Sequence, residues 1–189
     1  MEANSSRCVE ESIPLTPVKL EMYRGDSFQV VVDKPEYALA IAIALRAKLK
    51  AEPPDGQKLW DARLAVGVGD ISFESDNIVT SDGEAFRLSG HSFDHIGKKR
   101  LSISTPWPDF NTNIELVTRF ADDLITSWTA KQARVVYQSM LFPKLQKDLA
   151  EELDMTRQNF NYHWSSARGQ LILDYIEYFK SLISKYVRQ

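Results

Sequence analysis

The chain has 189 residues, 43% hydrophobic and 26% charged, the balance of a globular protein able to bury a core. A net charge of −3 provides no global basic field, so any nucleic-acid contact must come from a local patch or from dimerisation. Cys8 is the only cysteine, which excludes an internal disulfide and a Cys-based zinc site and fits a reducing cytoplasm.

Residues 1–17 are polar, with two prolines and a Ser pair, and read as a flexible N-terminal arm. Val18 to Tyr23 and Phe28 to Val32 are strand-like runs rich in β-branched and aromatic residues. The Gly25-Asp26 pair between them predicts a tight hairpin with a carboxylate at its tip. Pro35 suits the first position of a helix that runs to about Lys50. Its apolar run, Tyr37 to Leu45, is too short to span a bilayer and reads as a buried helix, so no membrane partner is expected.

Pro53-Pro54-Asp55-Gly56 breaks that helix, and Trp60 to Gly69 reads as a strand, with a short continuation around Asp70 to Phe73. Gly67 and Gly69 suit a close backbone approach better than phosphate binding. Ser81-Asp82-Gly83-Glu84 reads as a loop capping a helix that carries Ala85, Phe86, Leu88 and Phe93. On it, His91 and His95 stand at i, i+4, a spacing that can present two metal ligands, with Asp94 nearby and no further ligand supplied.

Arg100 to Ser104 alternates like a strand, and Pro106-Trp107-Pro108 ends the sheet region. From about Asn111 the pattern is helical to the end. Leu116, Phe120, Leu124 and Trp128 recur at helical spacing, as do Val135, Val136 and Met140. Tyr175, Tyr178, Phe179 and Tyr186 read as core or dimer-contact aromatics.

Residues 144–167 fit a helix-turn-helix. Ala150 is small where a second helix crosses, and Leu149, Leu153, Met155, Phe160 and Trp164 are apolar where two helices pack. Thr156 suits the N-cap of the second helix. Asp154 stands where such turns often use Gly for a positive φ, a conformation Asp tolerates better than most residues. The outward face would carry Arg157, Gln158, Asn159, Asn161, Tyr162 and His163, and these six with Thr156 at the start are the expected DNA-contact residues. Arg, Gln and Asn are side chains that read base edges or grip phosphate, so DNA is the expected partner. The competing reading is a helical hairpin with a polar solvated face, since residues 144–189 hold seven Lys/Arg against six Asp/Glu.

Three segments together resemble the SatD family of bacterial proteins: Tyr23 to Gln29, Arg63 to Gly69, and Ser81 to Gly90. The similarity continues through Thr105-Pro106-Trp107, Trp128-Thr129 and the helix-turn-helix. The first part of that family in turn resembles the palm-like fold of class III nucleotidyl cyclases. The resemblance implies an α+β chain: an incomplete ferredoxin/palm-like antiparallel sheet with packed helices over residues 18–108, then an all-α region over 109–189. It also implies that Asp26 is one of two metal-binding aspartates, with magnesium as the cation. Asp82, Glu84 and Arg87 would fall near a helix that holds a nucleotide ligand. Magnesium takes hard oxygen ligands and bridges them to phosphates, which is why two acids are wanted.

SatD-like proteins begin with an apolar strand ending in Gly-Asp, and nothing of that kind precedes Tyr23. Either the reading frame starts further upstream or the strand was lost together with catalysis. Read without the family, Asp26 is a turn residue chosen for its backbone, since Asp-containing hairpins are common without any metal. The expected function is a cytoplasmic, homodimeric DNA-binding regulator with a degenerate nucleotide-binding palm-like domain. The alternatives are a magnesium-dependent nucleotide-processing enzyme that requires the missing strand, and a helical half that binds another protein.

Overall fold

The computed structural model describes residues 18–23, 27–53, 60–71, 83–142 and 144–187. It has a mixed α+β fold, with few strands followed by several packed helices. Two compact units divide it. One draws its described residues from 18–39, 63–122 and 178–187, the other from 40–62 and 123–177.

The first unit contains the strands. β1 (Val18–Tyr23) and β2 (Ser27–Val32) pair antiparallel, from Val18 opposite Val32 to Tyr23 opposite Ser27, as the runs flanking Gly25-Asp26 predict. β3 (Leu64–Gly67) and β4 (Leu101–Ser104) pair in parallel, Leu64 beside Leu101 and Gly67 beside Ser104. This corrects the expectation of an antiparallel sheet throughout. The two strands are joined by a crossover containing helix α2 (Glu84–Asp94), and a helical crossover returns the chain in the same direction. The strand predicted from Trp60 is shorter at both ends, with Asp70 and Ile71 already outside it. Its continuation beyond Ile71 lies outside the described residues.

Both glycines of β3 and its exit do what close approach requires. A Cβ on Gly67 would lie 2.2 Å from the Ala85 carbonyl oxygen, and one on Gly69 would lie 2.8 Å from Glu84 Oε2. Gly83 is the N-cap of α2, and the Ala85 N–H donates to the Asp70 carbonyl at 3.3 Å. Main chain from the strand exit therefore satisfies one donor of the first turn. Ser81 and Asp82 of the expected capping loop lie outside the described residues.

Helix α3 (Pro108–Ser127) starts three residues before the predicted point, because Pro108 takes the first helical position, where its missing N–H is harmless. Its core-facing side chains in this unit are Phe110, Ile114 and Ala121, all buried, whereas Leu116 and Phe120 are 57% and 66% exposed. Phe110 meets Phe179 and Tyr186 edge-on at 5.9 and 5.6 Å, and Trp107 leans on Tyr186.

The second unit holds α1 from Ala40 onward (the helix is Ala38–Ala51), α4 (Ala130–Leu141), α5 (Gln146–Glu152) and α6 (Arg157–Ser166). The first turns of α7 (Gly169–Val187) complete it. The apolar run of α1 is buried as predicted, at Ala40, Ala42, Ile43 and Ala44. Thr129 starts α4 with a capping box: its hydroxyl accepts from the Gln132 N–H, and the Gln132 side chain accepts from the Thr129 N–H. Among the described residues no helix is long and apolar enough to cross a membrane.

Candidate nucleic-acid interface

The helix-turn-helix forms from local signals. Leu145 N-caps α5, a helix of seven residues, and Leu153 is its C-cap, whose N–H returns to the Leu149 carbonyl. The chain then turns through Asp154 at φ 52°, the positive-φ position at which the sequence places Asp instead of Gly. Met155 donates back to the Ala150 carbonyl at 3.0 Å and closes the turn. Thr156 starts α6, and its hydroxyl accepts from the Asn159 N–H at 3.1 Å.

One apolar cluster holds α4, α5 and α6 together. Val135, Leu149, Ala150 and Phe160 are buried in it, and Leu153, Met155 and Trp164 pack around them. Ala150 is 1% exposed, as its small size at a helix crossing predicts. Beyond α6, the Trp128 indole N–H donates to the Ala167 carbonyl at 2.9 Å and ties the end of that helix down. The Trp164 ring covers Gly169 so closely that a Cβ there would lie 2.3 Å from it.

This packing turns one side of α6 inward and leaves the other free. Arg157, Gln158, Asn159 and Tyr162 are exposed, as is Thr156 at the start; the large Tyr162 side chain is 66% exposed. Asn161 and His163 are half-buried and flank that face. The Tyr162 and His163 rings meet edge-on at 5.3 Å. All seven residues expected to contact DNA therefore lie on one helix and its cap.

The electrostatics of the region are mixed. Glu151, Glu152 and Asp154 are exposed on α5 and the turn. Lys144 pairs with Glu152, and Lys147 lies 4.0 Å from Glu151. Exposed pairs of this kind contribute little to stability, but they set an acidic partner beside each of these two lysines. Arg157 is the cation that the face itself presents.

The residues expected around a nucleotide are less assembled. Asp26 and Asp82 lie outside the described residues. Glu84 is half-buried in the first turn of α2 beside Gly69, and Arg87 is exposed on the next turn. His91 and His95 stack with centroids 4.4 Å apart, and His95 Nδ1 bonds the His91 carbonyl oxygen at 2.8 Å. Among the described residues, no group of three His, Cys, Asp or Glu side chains is placed to hold a metal.

One polar cluster was not anticipated. Arg46, with a relative exposure of 0%, clasps Asp61 through two 2.8 Å hydrogen bonds and donates to Thr126 Oγ1 at 2.9 Å. Lys50 joins it by donating to the Thr126 carbonyl at 3.0 Å. A basic residue inside an otherwise apolar helix run was the available signal, and helical periodicity does not weigh it. The Arg–carboxylate fork satisfies both partners in geometry and charge, which is what burial of an ion pair demands. Comparisons of the chain with protein-family models, curated proteins and solved structures found no match.

Proposed function

We propose that this protein is a DNA-binding regulator that lays α6 in the major groove of duplex DNA. The observation that carries the reading is the exposed polar face of α6, with Arg157, Gln158, Asn159 and Tyr162 turned outward from a helix fixed by Thr156 and Phe160. A two-helix unit docked this way reads base edges with the first turns of its second helix. Gln and Asn are bidentate partners for adenine, and Arg is one for guanine or phosphate. Asn161 and His163, on the flanks, would meet sugar and phosphate.

The balance of charge argues for modest affinity per copy. With Lys144 and Lys147 already beside Glu152 and Glu151, few phosphates are neutralised, and the salt dependence should be shallow. The test is retention of labelled duplex fragments at low salt. Arg157→Ala and Asn159→Ala are expected to reduce it about tenfold or more each, as loss of a good base or phosphate contact does. No retention by the unaltered protein at low salt overturns the reading.

The finer fold reading is a ferredoxin/palm-like domain, and here the element order supports it: hairpin, helix, strand, helix, strand. In that reading Asp26 would bind magnesium, and Asp82, Glu84 and Arg87 would hold a nucleotide, Glu84 and Arg87 from the first turns of α2. The SatD family resemblance belongs to the same proposal. A nucleotide that binds in a magnesium-dependent way and is lost on Asp26→Asn would support it. Turnover of that nucleotide would favour the enzyme over the regulator.

A further inference from the structure

We infer that Tyr162 is the specificity-determining residue of the proposed interface and reads the C5 methyl group of a thymine, close to an adenine held by Gln158. The inference rests on the DNA-binding reading above and names what α6 reads there. It starts from the phase of the helix. Phe160 and Trp164, four residues apart, pack into the apolar cluster with α4 and α5. At about 100° per residue, Tyr162 stands about 180° from the midline between those two. Gln158 and Ser166 lie about 140° from it on either side, and Asn161 and His163 about 80°. Exposure follows the same order: Gln158, Tyr162 and Ser166 are open, whereas Asn161 and His163 are half-buried.

Tyr162 therefore leads when α6 enters a groove, with its side chain 66% exposed. Phe160 and Trp164 fill the inward side, so the Tyr162 ring adds nothing to the core. That ring is a flat apolar body with a single hydroxyl at its far end. On the floor of the major groove the edges of guanine, cytosine and adenine present donors and acceptors, and the thymine methyl is the apolar group. A ring pressed on the other three edges strips water from polar groups it cannot bond. Pressed on the methyl, it buries apolar surface on both sides.

The neighbours of Tyr162 fit this reading. Gln158 precedes it by four residues, about 6 Å along the helix axis. Base pairs are stacked about 3.4 Å apart, so an adenine and a thymine about one or two pairs apart are reached together. The Gln158 amide matches adenine N6 and N7. With Glu151, Glu152 and Asp154 exposed just before α6, attraction to phosphate is weak, and discrimination falls to uncharged contacts at base edges. The His163 ring, edge-on at 5.3 Å, restricts the Tyr162 ring before DNA arrives, so less freedom is lost on binding.

The experiment uses the full chain and duplexes recovered from a random-sequence pool by retention at low salt. The best-retained duplex is remade with deoxyuridine at each thymidine in turn, which removes one methyl group and keeps every donor and acceptor. At one position retention should fall about fourfold, the value of one buried methyl group. Tyr162→Ala should bind the thymine duplex at least that much more weakly and be indifferent to deoxyuridine at that position, because both changes remove one contact. Tyr162→Phe should keep the methyl preference. The side chain lies outside the core, so both variants keep the fold, and the deoxyuridine arm leaves the protein unaltered. Three results overturn the inference while DNA binding stands. They are a duplex indifferent to deoxyuridine at every position, a Tyr162→Ala variant that still discriminates, and a Tyr162→Phe variant as weak as Tyr162→Ala, which would put the hydroxyl on phosphate. Failure to retain any duplex overturns the DNA-binding reading and this inference with it.

Discussion

The helix-turn-helix and the strand region are built from different kinds of information. In the first, each structural decision is made within a few residues: Thr156 caps the N–H three positions on, and Asp154 turns the chain where α5 ends. In the second, the decisive contacts join distant segments, such as Gly67 against Ala85 or Leu64 beside Leu101. A region assembled from local signals tolerates loss of any one of them. A region assembled from a few long-range close approaches should fail at single points.

The largest effect should come from the one element of the helix-turn-helix that is not local, its shared core. Phe160 is fully buried against Val135, Leu149 and Ala150. Phe160→Ala should lower unfolding stability by about 3–5 kcal/mol, the range for truncating a buried aromatic. Urea unfolding followed by circular dichroism measures it. A loss under 1 kcal/mol would mean that the three helices do not depend on a common core.

Gly67→Ala tests the strand region in the same way. The added methyl would meet main chain of α2, the Ala85 carbonyl oxygen and the Ser89 N–H, not the end of a flexible side chain. Helix or strand must shift, at a penalty of about 1–3 kcal/mol by overpacking. The same measurement on Gly90→Ala makes the control, because nothing lies within 4 Å of a Cβ there. Equal losses for the two variants would contradict the close packing of α2 on β3.

What the sequence made legible follows the same division. The caps, the turn and the five apolar positions of the helix-turn-helix are each visible as residue type at a fixed offset, and the structure places all of them. Strand positions were also visible, from alternation and from the Gly-Asp hairpin signal. Alternation along Leu101 to Ser104 carries no record of which strand lies beside it or in which direction, so the parallel pairing with β3 was missed. The helical spacing in α3 was legible, but its core-facing side was not. Phe110, Ile114 and Ala121 form one helical stripe and Leu116 and Phe120 another, and a period of 3.6 residues does not say which stripe meets the core. The Arg46–Asp61 pair was invisible because its partners are fifteen residues apart across a chain break in pattern. Asp26 and Asp82, on which the nucleotide reading rests, lie outside the described residues.

A smaller effect is expected at the start of α6. Thr156→Ala removes the hydroxyl that accepts from the Asn159 N–H and should cost about 1 kcal/mol, the usual value for an N-cap. Thr156→Ser should restore most of it, because the acceptor oxygen is kept. Failure of Ser to rescue would mean that the Thr156 methyl group, and not the cap bond, matters here.

The smallest change separates fold from function at one residue. Asp154 holds φ at 52°, a conformation that penalises an L side chain by about 1–2 kcal/mol, less for Asp than for most residues. Asp154→Gly relieves that strain but adds freedom to the unfolded chain, which offsets about 0.5–1 kcal/mol of the gain. Net stability should therefore rise by less than about 1 kcal/mol. The same substitution removes an exposed negative charge from the turn that precedes the proposed DNA-reading helix. If α6 meets phosphate, Asp154→Gly should tighten DNA retention at low salt, and the gain should shrink as salt rises. If Asp154 acts only on the backbone, Asp154→Gly and Asp154→Asn will differ in stability, yet neither will change binding.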